Sequence, residues 1–298
     1  MVGSGVGYGG YVRKIEKKYN NTFIDIIIMT STSSLYKLRD WIDVDKINWY
    51  NLSENPNAIS LLEQNLDKIH WYYLSKNPNA IHLIKKNLDK INWSYLSENP
   101  NAIHILEQNL DKIGWMYLSF NPNAISLLEK NLDKINWGSL AFNPNAISLF
   151  EKYPDKIDWV HLSGNTNAIH ILEKKLDKIN WEYLSFNPNA IPLLEQNLDK
   201  IDWMYLSENP NAIPLLEQNI DKINWDRLSL NPNAIPLLEK YPNKINWIYL
   251  SMNPNIFELD YGFLKTRMDV IREELMMKAW HPNRVNKWLE AGLDMEDM

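Results

Sequence analysis

The chain has 298 residues, 45% of them hydrophobic and 23% charged, enough apolar material for a sizeable core. Its formal charge of −6 and pI near 5.6 weigh against nucleic acid or anionic lipid as partners, for which a basic surplus is the usual footprint. There is no cysteine, which excludes disulfides and thiolate metal sites, and no stretch approaches the length of a membrane span.

Residues 1–32 lack an apolar signal region behind a basic start and read as a flexible tail; the GSGVGYGG stretch has no strand or helix signal around it to make it a phosphate loop. Residues 33–44, SSLYKLRDWIDV, read as an irregular half-unit with Leu35, Leu38 and Ile42 on one helical face. Tryptophans then fall at 49, 71, 93, 115, 137, 159, 181, 203, 225 and 247, a constant spacing of 22. Such a fixed period marks a repeat architecture. The unit is D-K-I-N-W-x-x-L-S-x-N-P-N-A-I-x-L-L-E-x-N-L.

Each unit carries two helix signals. The residue before Trp is Asn, Asp or Gly in nine of ten units, the exception being His70, and these residues favour a helix N-cap. Ile47 and Leu52 then form a hydrophobic staple around a short helix A, which ends by about Glu54 because Asn55 precedes Pro56. For the second helix, B, Asn57 and its equivalents are expected to cap, with Ala at the first helical position. Pro192, Pro214 and Pro236 then fall at the third, where the N–H has no acceptor within the helix. Helix B is predicted over 58–64, with Asn65 as a left-handed residue ending it. Helices this short are marginal alone and must stack on the next copy. The core is expected from Ile47, Trp49, Leu52, Ile59, Leu61 and Leu62.

These features predict an all-α fold: an α-solenoid of ten 22-residue two-helix repeats over residues 33–260, with helical caps. A leucine-rich repeat, also compatible with a period of 22, is disfavoured because W-x-x-L-S-x-N lacks its third leucine and its β-branched alternation. Residues 261–298 form the C-terminal helical cap, with Leu264, Met268, Ile271, Leu275 and Ala279 on one stripe and Val285, Trp288 and Leu289 on a last helix.

The phrase INWxxLSxNPNAIxLLExN, with the ending IREELMMKAWHPNRVNKWLEAGLDMEDM, resembles repeat proteins encoded by giant DNA viruses of amoebae, of the mimivirus and megavirus kind. The resemblance covers residues 45–298. It implies a viral origin, with the host cytoplasm or the virion as location, and carries over no catalytic residue. Richness in Asn, Ile and Lys suits the AT-rich genome this implies.

Candidate chemistry is sparse. His82, His104 and His170 occupy an outward slot of helix B, too far apart across stacked helices, about 8–10 Å, to share a metal ion. His281, before Pro282, reads as a helix boundary. The rows of Asp45 and Glu63 equivalents have near-identical surroundings, unlike the split environments of an acid–base pair. No enzyme and no cofactor is expected. The lysine row from Lys46 to Lys244 suggests a phosphate track, but each lysine follows Asp or Asn and is read as neutralised by it; RNA binding is a minor alternative.

What varies between units is on the other side of helix A. Tyr73, Tyr95, Tyr117, Tyr183, Tyr205 and Tyr249 recur at one position, and Phe120, Phe142, Phe186 and Leu230 at the one three residues on. Aromatic side chains shown outward resemble binding hot spots. The alternative is a second, shallow core in which they pack on one another. The expected function is a non-enzymatic scaffold binding a protein partner of the viral host or the virion, with a structural virion component as the alternative.

Overall fold

A computed structural model describes residues 35–290 and shows an all-α repeat array. It divides into two compact bodies, one spanning Leu38–Phe257 and the other made of the flanking stretches. The predicted flexible tail over 1–32 lies outside the described residues.

Within the larger body each unit is built from three short pieces. Helix A begins at the tryptophan in all ten units, from Trp49–Leu52 to Trp247–Leu250, and is longest at six residues, as in Trp93–Glu98. The expected caps are in place. Asn48 Oδ1 accepts from the Asn51 N–H at 3.1 Å and Asn92 Oδ1 from the Tyr95 N–H at 2.9 Å. His70 and Gly114 make no side-chain cap bond. Gly114 has a different reason to be there: a Cβ on it would lie 2.9 Å from Ser94 Cα, so only glycine admits the preceding unit this closely. Helix B follows, as in Ile59–Glu63, and then a single 3-10 turn, as in Leu66–Lys68, leads to the next unit.

Two local expectations are corrected. Asn57 does not cap helix B: its N–H donates to Asn55 Oδ1 at 3.0 Å, and Ala58 takes the cap position. The NPNA phrase is a turn closed by the Ala58 N–H on the Asn55 carbonyl, which moves the helix start to Ile59 and puts Pro192 in its first two positions. Asn65 is not left-handed; its φ is −137°. It ends the helix through its side chain, whose Nδ2 donates to the Leu61 carbonyl at 2.9 Å, filling one of the acceptors a helix end leaves open.

Leu52, Ala58 and Leu62 are fully buried, as are their counterparts in most units, and Ile47 is nearly so. Trp49, Ile59 and Leu61 are half-buried against this core. Ser53 and Asn55 are also fully buried, and these polar residues tie unit to unit. Asn77 Nδ2 donates to the carbonyls of Ser53 and Asn55 in the preceding unit, at 3.1 and 2.7 Å. Asn79 Nδ2 donates to the Pro56 carbonyl at 2.8 Å. Ser53 Oγ donates to the Trp49 carbonyl and accepts the His70 N–H at 3.0 Å. Every donor and acceptor of the buried amide is thereby used, the condition on which buried polar groups are tolerated.

The first unit finds a predecessor too. Asn55 Nδ2 donates to the carbonyls of Ser251 and Asn253, the Asn48 N–H to Ser251 Oγ, and Asn57 Nδ2 to the Pro254 carbonyl. These are the bonds of an internal junction, made by the tenth unit to the first, so the array is a closed ring. Closure does here what terminal caps do for an open solenoid. The predicted helical half-unit at 33–44 is replaced accordingly: Tyr36–Leu38 is a strand, β1, paired with Phe257–Leu259, β2. Strand β2 follows the tenth NPN phrase where a tenth helix B would begin, and β1 leads into the turn Val44–Lys46. The tenth interval is therefore assembled from both ends of the repeat region.

Successive A helices approach closely over most of the array, whereas successive B helices do not come as near. In a closed ring the crowded layer is the one nearer the axis, so the A helices form the inner layer and the B helices the outer. The NPN phrases and the Leu66–Lys68 type turns, at opposite ends of helix A, mark the two edges.

In the smaller body, Tyr261–Ala279 is helical, capped by Asp260 Oδ1 on the Phe263 N–H, and Pro282–Glu290 follows. Leu264 and Val285 are half-buried, while Met268, Ile271 and Leu275 are exposed. The side chains of Ala279, Trp288 and Leu289 lie outside the described residues. No described helix is long and apolar enough to cross a membrane.

Candidate functional site: the inner face of the ring

Helix A turns Leu52 and Ser53 toward helix B, so the positions of Asn51 and Glu54, three apart, share the opposite face and point toward the axis. The variable aromatic residues sit here. Tyr73, Tyr95, Tyr117, Phe120, Phe142, Tyr183, Phe186, Tyr205, Leu230 and Tyr249 are all half-buried. Many also touch across unit boundaries. The Tyr73 and Tyr95 ring centroids are 6.2 Å apart and stacked, Tyr95 meets Tyr117 edge-on at 5.5 Å, and Phe120 stacks on Phe142 at 5.9 Å. Phe142 reaches past the sixth unit to Tyr183 at 5.3 Å, and Tyr183 meets Tyr205 at 5.9 Å. Gly164 makes that reach possible, since a Cβ on it would lie 2.7 Å from Phe142 Cε1. The residues thus form one belt, most of them packed on a neighbour and each keeping part of its surface in solvent.

Charged residues, which the aromatic pattern did not single out, complete the belt. Lys76 Nζ lies 2.9 Å from Glu54 and 3.3 Å from Glu98, joining the first three units. Arg227 pairs with Glu208 at 3.2 Å. The signal was available in the alternation Glu54, Lys76, Glu98 at a spacing of 22. Burial disfavours the charge on Lys76, but its two carboxylates more than offset that and raise its pKa. Glu98 gets the reverse: burial outweighs its share of one lysine, and Glu54 repels it, so its pKa is raised. Glu208 is raised by burial in the same way, against Arg227.

On the far side of the ring, His161 Nδ1 is 2.6 Å from Asp158 Oδ2, and Asp158 also caps the helix by accepting the His161 N–H at 3.2 Å. Burial opposes ionisation of Asp158, but the bonds and charge of His161 prevail and lower its pKa. His70 replaces the usual capping asparagine. Its ring is held between Tyr50 and Tyr73 at 4.6 and 5.0 Å, its Nδ1 is buried without a partner, and burial lowers its pKa.

In the lysine row, Lys156 and Lys178 pair with the aspartates before them at 3.5 and 3.6 Å, as expected, but other members are placed differently. Lys68 Nζ lies 4.3 Å from the centroid of Trp49 in the preceding unit, and Lys112, Lys134, Lys200 and Lys222 repeat the stack at 4.4–4.7 Å. A cation over an indole face is favourable, so these lysines cover the tryptophans instead of forming a free track. His82 Nε2 meets Glu63 Oε1 at 2.8 Å on the outer layer. Among the described residues, no group of three or more His, Cys, Asp or Glu is placed to hold a metal ion. No family model, curated protein or solved structure matches the chain.

Proposed function

We propose that the chain is a non-enzymatic ring scaffold that holds a protein partner along the half-buried belt on its inner face. The observation that carries this reading is the contrast between a frame repeated almost letter for letter and a belt that varies while staying rich in aromatic residues. Frame positions are fixed by hydrogen bonding. Belt positions accept Tyr, Phe, Leu, Glu and Lys alike, so the fold does not dictate them. Tyr and Phe offer large contact area at low entropic cost, as in binding hot spots. The resemblance to repeats of giant amoebal viruses supports a partner among host or virion proteins, met in the host cytoplasm or in the virion.

The direct test replaces Phe120 and Phe186 by Ser and leaves Phe142, which fills the space over Gly164. Partner capture from infected cells should be lost while the helical circular dichroism is unchanged. Loss of the fold instead would assign these residues to a second core. Stoichiometric co-purification with virions would favour a structural component, and a steep salt dependence would point to nucleic acid.

A further inference from the structure

Every unit ends in an apolar residue, and in most units the core does not cover it. Leu66, Leu88, Leu110, Leu132, Leu176 and Leu198, the first residues of the turns into helix A, are 37–57% exposed. Val44 holds the same place at the seam and is 46% exposed. Pro154, Ile220 and Pro242 complete the set, so the position is apolar in all ten intervals. Other exposed residues have drifted between units: the one after tryptophan runs through Tyr50, Met116, Glu182 and Asp226. Uniformity at the turn is therefore not a remnant of duplication, and a 3-10 turn accepts polar residues at its first position. Because the ring is closed, these side chains lie on one circle at the edge opposite the NPN phrases.

We infer that this edge is a docking surface for a second copy of the same ring, edge to edge about a two-fold axis. A second copy presents ten apolar residues on a circle of the same size and pitch, which makes the contact self-complementary. The charges agree. Each leucine is followed by an exposed aspartate and lysine, as in Asp67 and Lys68 or Asp111 and Lys112. A two-fold axis reverses the direction of travel round the circle, so the aspartates of one ring face the lysines of the other. The same aspartates would have to enter the interface of a bilayer beside each leucine, which disfavours a lipid surface. The six half-exposed leucines, at on the order of 100 Å² of apolar surface each, offer about 600 Å² per ring, only part of which an edge contact covers. The flanking charged residues bring the contact toward the roughly 1,200 Å² at which specific interfaces begin.

Sedimentation of the full chain at micromolar concentration should give twice the 35.1 kDa chain mass. Replacing Leu66, Leu110 and Leu176 together by Lys should give a monomer with unchanged circular dichroism and Tm. The single change Leu110→Lys, made in case the triple variant is unstable, should weaken dimerisation at least about tenfold. A monomeric wild type, or variants that remain dimers, would overturn the inference. So would binding to phosphatidylcholine–phosphatidylserine vesicles that the same substitutions abolish.

Discussion

The seam between the tenth and first units can be set against an internal junction such as that between the third and fourth. Both carry the same ladder. Asn121 Nδ2 donates to the carbonyls of Ser97 and Asn99 at 3.0 and 2.8 Å, and Asn55 Nδ2 to those of Ser251 and Asn253 at 3.1 and 2.9 Å. They differ in everything around it. The internal junction continues through the peptide chain, with helix B packed beneath it. The seam has no tenth helix B and uses β1 against β2, Arg39 Nε on the Asn255 carbonyl at 2.8 Å, and Asn51 Nδ2 on the Ile248 carbonyl at 2.9 Å. A residue that is Tyr or another aromatic in most units is thus Asn where the ring closes, spending its amide on a bond the other junctions lack. The ladder specifies the geometry of stacking, and the Arg39 and Asn51 bonds add to what holds the last step shut.

The largest effect should come from breaking the ladder internally. In Asn121→Ala, the Ser97 carbonyl and the Asn123 N–H lose the buried amide as partner, and the Asn99 carbonyl keeps only the Ala102 N–H. At about 1–3 kcal/mol for each unsatisfied buried group, the loss should be about 3 kcal/mol or more, read from the urea midpoint at unchanged slope. Asn121→Asp should be at least as damaging, because a carboxylate cannot donate to either carbonyl.

The same change at the seam should cost less. With Asn55→Ala the orphaned groups can reach water by opening the ring, since no peptide bond crosses the seam. A global loss of about 1–2 kcal/mol is expected, together with faster amide exchange in the first and tenth units. Equal cost at Asn55 and Asn121 would mean the strand pair holds the seam as tightly as the chain holds an internal junction, and the contrast would fail.

Much of this architecture was legible because period and capping are local. The 22-residue spacing, the asparagine caps before tryptophan and the Ile47–Leu52 pair each belong to one unit and follow from short-range physics. The prolines at 192, 214 and 236 located helix B to within a residue, though they misassigned its cap: both asparagines of NPN are plausible caps, and the choice depends on carbonyls supplied by the neighbouring unit. Closure was not legible. It depends on the sum of small rotations from unit to unit, which no single unit records; the nearest sign was Asn51, the departure from Tyr at one end of the array. The belt was legible in its aromatic half because a row of one type stands out. Its charged half did not stand out, since an alternation of Glu and Lys looks like any solvated face until Lys76 is seen between two carboxylates.

A smaller effect separates the units beside the seam from those opposite. Removing the shared cation in Lys76→Met leaves Glu54 and Glu98 close together and partly desolvated at neutral pH. A loss of about 1 kcal/mol is expected at pH 7, the upper range for a partly exposed pair. It should shrink as pH falls through the raised pKa of Glu98, where that carboxylate protonates and the repulsion disappears. A deficit independent of pH would assign Lys76 a packing role through its alkyl stem instead.

The smallest effect is expected opposite the seam, at Asp158, and its sign is the reverse of that at Glu98 and Glu208. The folded pKa of Asp158 lies below 3.8, so its contribution is present above that value and is lost as pH falls through the folded pKa. Glu98 and Glu208 have folded pKa values above 4.5; what they contribute is present in the protonated form and is lost as pH rises through their folded values. Asp158→Asn keeps an acceptor for the His161 N–H and removes the carboxylate charge beside His161 Nδ1. The variant should therefore melt about 1–2 °C below wild type at pH 6, a small shift because the carboxylate is a third exposed. The two melting curves should converge below pH 3.8, whereas Glu98→Gln should gain on wild type as pH rises above 4.5. Opposite pH slopes from two carboxylates on one inner face would show that the belt is electrostatically divided: near the seam it is strained by too many acids around one lysine, and across from it each acid has a base of its own.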